Sequence, residues 1–205
     1  MKVLVTGFDP FGNDVINPSY ESVKRLPSKI ANADIIKLEI PTIAQTSLTM
    51  LKEAIQKYKP DIVINVGVAK GRGDISVERV GINVDNFSIC DNAHNQIIEE
   101  PIFLDGPDAY FSNLPIQEMV KAMNEANIKA SISNSAGTFV CNHVLYGVRY
   151  LIEHEFLHVK SGFIHVPCLC EQVGNEENIP SMELFDMVKG LTIAISTCVK
   201  EGLKL

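Results

Sequence analysis

Short apolar runs alternate along the chain with longer stretches whose apolar residues recur at three- and four-residue steps, and this alternation restricts the fold more than any other feature. Residues 3–6, 35–40, 62–66, 130–133 and 162–166 read as strands. Between them, Leu48, Leu51, Ala54, Ile55 and Tyr58 fall on one face of a helix over 47–58. The same spacing recurs over 116–126 (Ile116, Met119, Val120, Met123) and over 144–152 (Val144, Leu145, Val148, Leu151, Ile152). Near-continuous hydrophobic strands interleaved with amphipathic helices predict an α/β sheet covered on both faces. Ligands of such sheets bind beyond the carboxyl ends of the strands, where Thr6-Gly7-Phe8, Val66-Gly67-Val68 and His165-Val166-Pro167 fall. Pattern alone leaves the strand order open. The segment 75–84 departs from the rule: its alternation (Ile75, Val77) changes phase at Glu78-Arg79 and resumes at Val80, Ile82 and Val84, which predicts a bulge or sharp bend at Glu78.

A chain of 205 residues, 46% hydrophobic and without a low-complexity linker, can bury one core, so 1–205 is expected to be a single domain. The net charge of -7 with scattered Lys and Arg gives no basic stripe, which argues against nucleic-acid binding. The opening apolar run stops at Gly7, too short for a signal-peptide core and without a small-residue cleavage site. No apolar run approaches the roughly 20 residues that span a bilayer, so no membrane association is expected. These features predict a soluble cytoplasmic protein. Five cysteines, an odd number at irregular spacings, argue against a disulfide framework. Cys198, in an apolar helix-like stretch, reads as core.

Chemistry concentrates elsewhere. Cys141 lies between a strand-like and a helix-like segment, where a helix N-terminus favours a thiolate and lowers its pKa. His165 closes a later strand, and Glu78 sits at the phase change. A nucleophilic thiol, an imidazole to move its proton and a carboxylate to orient the imidazole are the parts of a cysteine hydrolase. The plain alternatives are a buried core thiol, a strand-end histidine satisfied by backbone, and a surface partner for Arg79. His165, Cys168 and Cys170 with Cys141 or His143 offer zinc-type ligands, but the Cys-Leu-Cys step fits zinc spacing poorly. Cys168 and Cys170 could otherwise form a redox couple. His94, His154 and His158 read as solvated surface. The run Gly67-Val68-Ala69-Lys70-Gly71-Arg72-Gly73 matches neither a P-loop nor a dinucleotide fingerprint, and predicts a tight loop whose backbone can approach a small ligand. Phe8 and Phe11, in the turn-rich segment after the first strand, either line an apolar slot or cap the core.

Four motifs in order, Val5-Thr6-Gly7-Phe8-Asp9-Pro10-Phe11-Gly12 with Asn17-Pro18, Glu78-Arg79-Val80 with Asn83, the run from Ser133 through Gly137-Thr138-Phe139-Val140-Cys141-Asn142, and Gly162-Phe163-Ile164-His165-Val166-Pro167, resemble the pyroglutamyl peptidase I family over nearly the whole chain. The resemblance implies an α/β/α sandwich with a twisted, mostly parallel or mixed sheet. It also implies a cytosolic homotetramer that needs no cofactor or metal and removes N-terminal pyroglutamate from small peptides through a thioester acyl-enzyme. Cys141 would be the nucleophile, His165 the general base and acid, and Glu78 the residue orienting His165. Phe8 and Phe11 would sandwich the lactam ring, Phe139 and Val140 would complete the apolar wall, Asn17 would belong to the pocket, and backbone near Val68 would bond the lactam amide. An N-terminal glutamate or glutamine would bring an ammonium group into that slot, an unpaired burial that costs several kcal/mol.

Departures from the family pattern are specific. Val68-Ala69-Lys70-Gly71-Arg72 replaces Gln-Ala-Gly-Gly-Arg, Asn13 replaces glycine, and Gly81 replaces alanine. Ser88 stands where an arginine near the oxyanion is usual; losing such a donor costs on the order of 100-fold in rate. Reduced activity is expected, with a catalytically weakened or inactive pyroglutamyl-binding homologue as the alternative.

Overall fold

Strand β1 (Lys2–Phe8) is followed by α1 (Pro18–Lys24), β2 (Lys29–Ile30), β3 (Ala33–Ile40), α2 (Ala44–Tyr58), β4 (Ile62–Val68), β5 (Ile75–Glu78), β6 (Val80–Ile82) and β7 (Ala109–Phe111) in the computed structural model. Then come α3 (Ile116–Glu125), β8 (Ala130–Ser133), α4 (Val140–Glu155), β9 (Lys160–Val166), β10 (Cys168–Leu169), α5 (Cys170–Val173), β11 (Ser181–Met182) and α6 (Leu184–Gly202). The structure describes residues 1–173 and 179–202. All five expected strands and all three expected helices form; the helices expected over 47–58 and 144–152 extend further, and that expected over 116–126 ends at Glu125.

Seven strands make the main sheet in the order β2-β3-β1-β4-β9-β5-β8. β3, β1, β4 and β9 run parallel, while β5 is antiparallel to β9 and β2 to β3. The sheet is therefore mixed. On one face, Val5, Ile64, Val66, Val77 and Ile164 pack with Val23 of α1, Met119 and Met123 of α3, and Leu191, Ile195 and Cys198 of α6. On the other, Leu4, Phe8, Val63 and Phe163 pack with Leu48 and Leu51 of α2 and Val140, Val144 and Val148 of α4. Helices on both faces complete the α/β/α sandwich. Cys198 is only 2% exposed, as its apolar setting predicts, whereas His94, His154 and His158 are exposed. Among the described residues no helix is long and apolar enough to cross a membrane.

The phase change at Glu78-Arg79 is a strand switch. β5 ends in the main sheet, paired with β8 and β9, and β6 leaves to pair antiparallel with β7. Arg79 stays tied at the corner, its N–H donating to Ser133 O at 2.8 Å while its carbonyl accepts from Ser112 N at 2.8 Å.

Candidate active site

Residues paired across a sheet share a face, so the register assigns the site to one side. Gly67 of β4 is level with His165 of β9, and Glu78 of β5 is level with Phe163, two residues before His165. Gly67, Phe163, His165 and Glu78 therefore all face α4. A Cβ on Gly67 would lie 2.9 Å from Cys141 Sγ and 2.9 Å from the Phe163 ring. The thiol thus occupies the space above Gly67, beside the strand that carries His165. Only a residue without a side chain leaves that space open.

Cys141 is the second residue of α4. The N-cap, Phe139, makes no side-chain cap bond, so the N–H groups of Cys141 and Asn142 lack the partner that a Ser, Asp or Asn cap would supply. At α1 the opposite holds, because Asn17 caps the helix through its side chain. Asn142 fixes the same turn of α4 in place: its amide donates to the carbonyls of Ile82 (2.9 Å) and Val84 (3.0 Å) and accepts from Ile82 N (2.9 Å). Behind it, His143 Nδ1 and Asp85 Oδ2 stand 2.7 Å apart, both buried. Sequence reasoning considered His143 only as a zinc ligand and gave Asn142 no task. Neither residue type signals a buried helix anchor without its distant partner.

Glu78 is fully buried and its Oε1 lies 2.7 Å from His165 Nδ1. Burial raises the Glu78 pKa, but hydrogen bonds from His165, Ser133 and Arg72 outweigh it and hold the carboxyl below its ordinary value of 4.5. An ionised carboxylate only accepts, so Nδ1 carries the proton and Nε2 is left as the basic nitrogen. Cys141 departs from expectation. Burial, reinforced by the Glu78 charge and partly offset by Arg72, pushes its thiol up to about 12. The helix N-terminus does not by itself yield a resting thiolate; desolvation is the larger effect.

Phe8, Phe11, Asn17, Val68, Phe139, Val140 and Cys141 line one cleft of about 330 Å³. Phe11 and Phe139 ring centroids are 5.4 Å apart, and Phe87 supports Phe139 edge-on at 4.7 Å. Phe8 does double duty: it touches the cleft but is 3% exposed and packs on Phe163. Asn17 is committed elsewhere, accepting from Ser19 N and Oγ and donating to Asp9 O. With three of its four hydrogen-bonding positions used, it holds the loop after β1 and has one N–H to offer. Asp14, Thr42, Lys70, Ile89, Cys168 and Gln172 also line the cleft, and sequence reasoning did not place them there. They reach it from loops and from the short β10 and α5, whose course no local pattern encodes.

The profile of the pyroglutamyl peptidase family matches residues 1–201. The chain belongs to that family. It is 55% identical over 200 residues to the pyrrolidone-carboxylate peptidase of Lactobacillus johnsonii, covering 98% of this chain and 93% of that protein. With the corresponding protein of Clostridium botulinum it shares 54% identity, covering 98% and 95%. The crystal structure of Bacillus amyloliquefaciens pyroglutamyl peptidase I superposes with a TM-score of 0.94 at 44% identity, covering 97% of each chain. Pyrrolidone carboxyl peptidase from Thermococcus litoralis gives 0.95 at 36%, covering 99% and 95%.

Within this family member, the departures have visible settings. Gly81 lets β6 approach α4, since a Cβ there would lie 2.9 Å from Tyr146 N. Lys70 lines the cleft, and Ser88 is exposed. Arg72, which keeps the family's arginine, reaches Glu78, its Nη1 2.7 Å from Oε1.

Proposed function

We propose that the protein hydrolyses the amide bond that follows an N-terminal pyroglutamyl residue, with Cys141, His165 and Glu78 as its catalytic group. One observation carries the reading: the Cys141 sulfur stands over Gly67, level with His165, whose Nδ1 is held by buried Glu78, at the wall of an apolar cleft. The lactam ring enters among Phe8, Phe11, Phe139 and Val140, and backbone near Val68 meets its amide edge. The neutral thiol gives its proton to His165 Nε2 as sulfur attacks the carbonyl, and Glu78 stabilises the imidazolium that forms. The N–H groups at the start of α4 receive the oxyanion, a task that preorganised backbone donors perform without reorganisation. Collapse expels the shortened peptide, whose amine takes the proton back from His165. Water, deprotonated by the same nitrogen, then releases pyroglutamate from the thioester.

These backbone donors support turnover despite Ser88, so the inactive binding homologue is the weaker reading. Residues 1–205 act as one peptidase domain, in keeping with the match over 1–201. We further propose a cytoplasmic homotetramer that takes small peptides and binds neither nucleic acid nor membrane; sedimentation of the purified protein tests the assembly. For the activity, the wild type should release a fluorogenic amine from a pyroglutamyl amide and none from the glutamyl amide, and Cys141→Ala should release none from either. Equal release by Cys141→Ala would overturn the nucleophile; absence of release by the wild type would overturn the activity.

A further inference from the structure

The loop between β4 and β5 folds back on itself, with Arg72 N donating to Ala69 O at 3.1 Å and Gly71 at φ +92°. This turn sends the Arg72 side chain inward. Its Nη1 lies 2.7 Å from Glu78 Oε1, the same oxygen that accepts from His165 Nδ1, and its Nη2 donates to Ser135 O at 3.0 Å. Ser135 belongs to the segment 134–139 that leads into α4 and Cys141. One guanidinium therefore joins the carboxylate to the lead-in of the nucleophile helix, while Val68 at the end of β4 and Lys70 of the same loop line the cleft. The Arg72 side chain is 34% exposed and Glu78 is 0% exposed, so the arginine can be changed without emptying the core.

We propose that Arg72 is a positioning residue of this site: it neutralises Glu78 at the same oxygen that holds His165, so that the buried carboxylate can orient His165 without opposing formation of the thiolate. The inference rests on the peptidase reading above. A lone buried carboxylate near the sulfur would disfavour the second negative charge that attack requires. A paired one keeps its hydrogen bond to His165 while its field is compensated. The surrounding charges are few. Glu78 is faced by His165 from β9, Ser133 from β8 and Arg72 from the loop. The thiol is faced by Glu78 and Arg72. Lys70, Asp14 and Cys168 line the same cleft, and the His143–Asp85 pair lies behind the first turn of α4. Arg79 turns away to Asn134, at 2.7 Å, and leaves Glu78 to Arg72.

The test uses Arg72→Gln and Arg72→Lys in the full chain, alone and with Glu78→Gln. It reads kcat and KM on a pyroglutamyl amide, the pH dependence of Cys141 alkylation by iodoacetamide, and thermal melting. Arg72→Gln should lower kcat on the order of 10- to 100-fold with KM within about 2-fold. It should also move the alkylation profile up by about one pH unit, and Arg72→Lys should restore most of that shift because the charge returns. In the Glu78→Gln background the shift from Arg72→Gln should fall below about half, since the two residues act on each other. An unmoved alkylation profile, or a shift undiminished without Glu78, overturns the proposal. So does a raised KM with kcat intact, which would make Arg72 a substrate contact. Alkylation is read without turnover, so failure of the peptidase assay in the wild type is told apart from failure of the Arg72 inference.

Discussion

At Cys141 two influences oppose each other. The uncapped start of α4 presents N–H groups and the positive end of the helix dipole to the sulfur, while burial and the Glu78 charge push its thiol up to about 12. Burial and the Glu78 charge outweigh the helix end, so the mechanism proposed above makes the nucleophile during attack, by proton transfer to His165. That proposal requires His165 to be correctly oriented at that moment, and its hydrogen bond to Glu78 fixes the tautomer. Glu78→Gln should therefore be costly: an amide can offer its NH₂ group to Nδ1 as readily as its oxygen and can turn the imidazole to the wrong tautomer. A fall in kcat on the order of 100- to 10,000-fold is expected, with KM little changed. Steady-state kinetics on a pyroglutamyl amide check it, and a variant within a few-fold of wild type would remove Glu78 from the catalytic group.

Among the elements, β4 and α4 are set so close that a single methyl group decides the site. Gly67→Ala would place a Cβ 2.9 Å from both the Cys141 sulfur and the Phe163 ring. Overpacking of that kind costs about 1–3 kcal/mol, and the sulfur is the group that must move from its place beside His165. Activity should fall at least about 100-fold, since small misplacements of reacting atoms carry such penalties, while the melting temperature drops by only a few degrees. Normal activity in Gly67→Ala would mean that the thiol does not work above β4. The strands of this region were legible because each is a short run buried on both faces, as in Ile62–Val68. The first turn of α4 was not: Asn142 and His143 are polar yet buried, so residue polarity there does not report the buried face, and the apolar spacing begins only at Val144. The candidate triad was legible through strand and helix ends and through motif resemblance. Arg72 on Glu78 and Asp85 on His143 were not, because the first is made by the turn at 69–72 that folds the loop back onto β5 and the second by the departure of β6 from the sheet. The second pair spans 58 residues and the first needs the left-handed turn at Gly71, so neither follows from helix or strand spacing.

For the molecule as a whole, the buried carboxylates link the site to acid stability. Burial raises the pKa of Glu78, but its bonds from His165, Ser133 and Arg72 carry it below 4.5. Asp91 is opposed by burial in the same way, yet bonds from the backbone of Asn95 and Ala93 and from the Asn95 amide hold it below 3.8. In the unfolded chain both groups bind protons at their ordinary values, so the folded state binds fewer protons across that range. Stability from these two groups is therefore present above 4.5 for Glu78 and above 3.8 for Asp91, and is lost as pH falls through their lower folded values. Protonation breaks different things in each case: at Glu78 it releases His165 and Arg72 beside the sheet, and at Asp91 it frees the loop whose Asn92 donates to Pro10 O and Thr42 O. The melting temperature should be nearly level above about pH 5 and fall steeply below it. Glu78→Gln with Asp91→Asn should start from a lower melting temperature at neutral pH and show a shallower decline in acid, because the groups that would take up protons on unfolding are gone. Calorimetry of both proteins from neutral pH downward makes the comparison. Parallel declines would place the acid sensitivity in other carboxylates and separate the chemistry of the cleft from the stability of the fold.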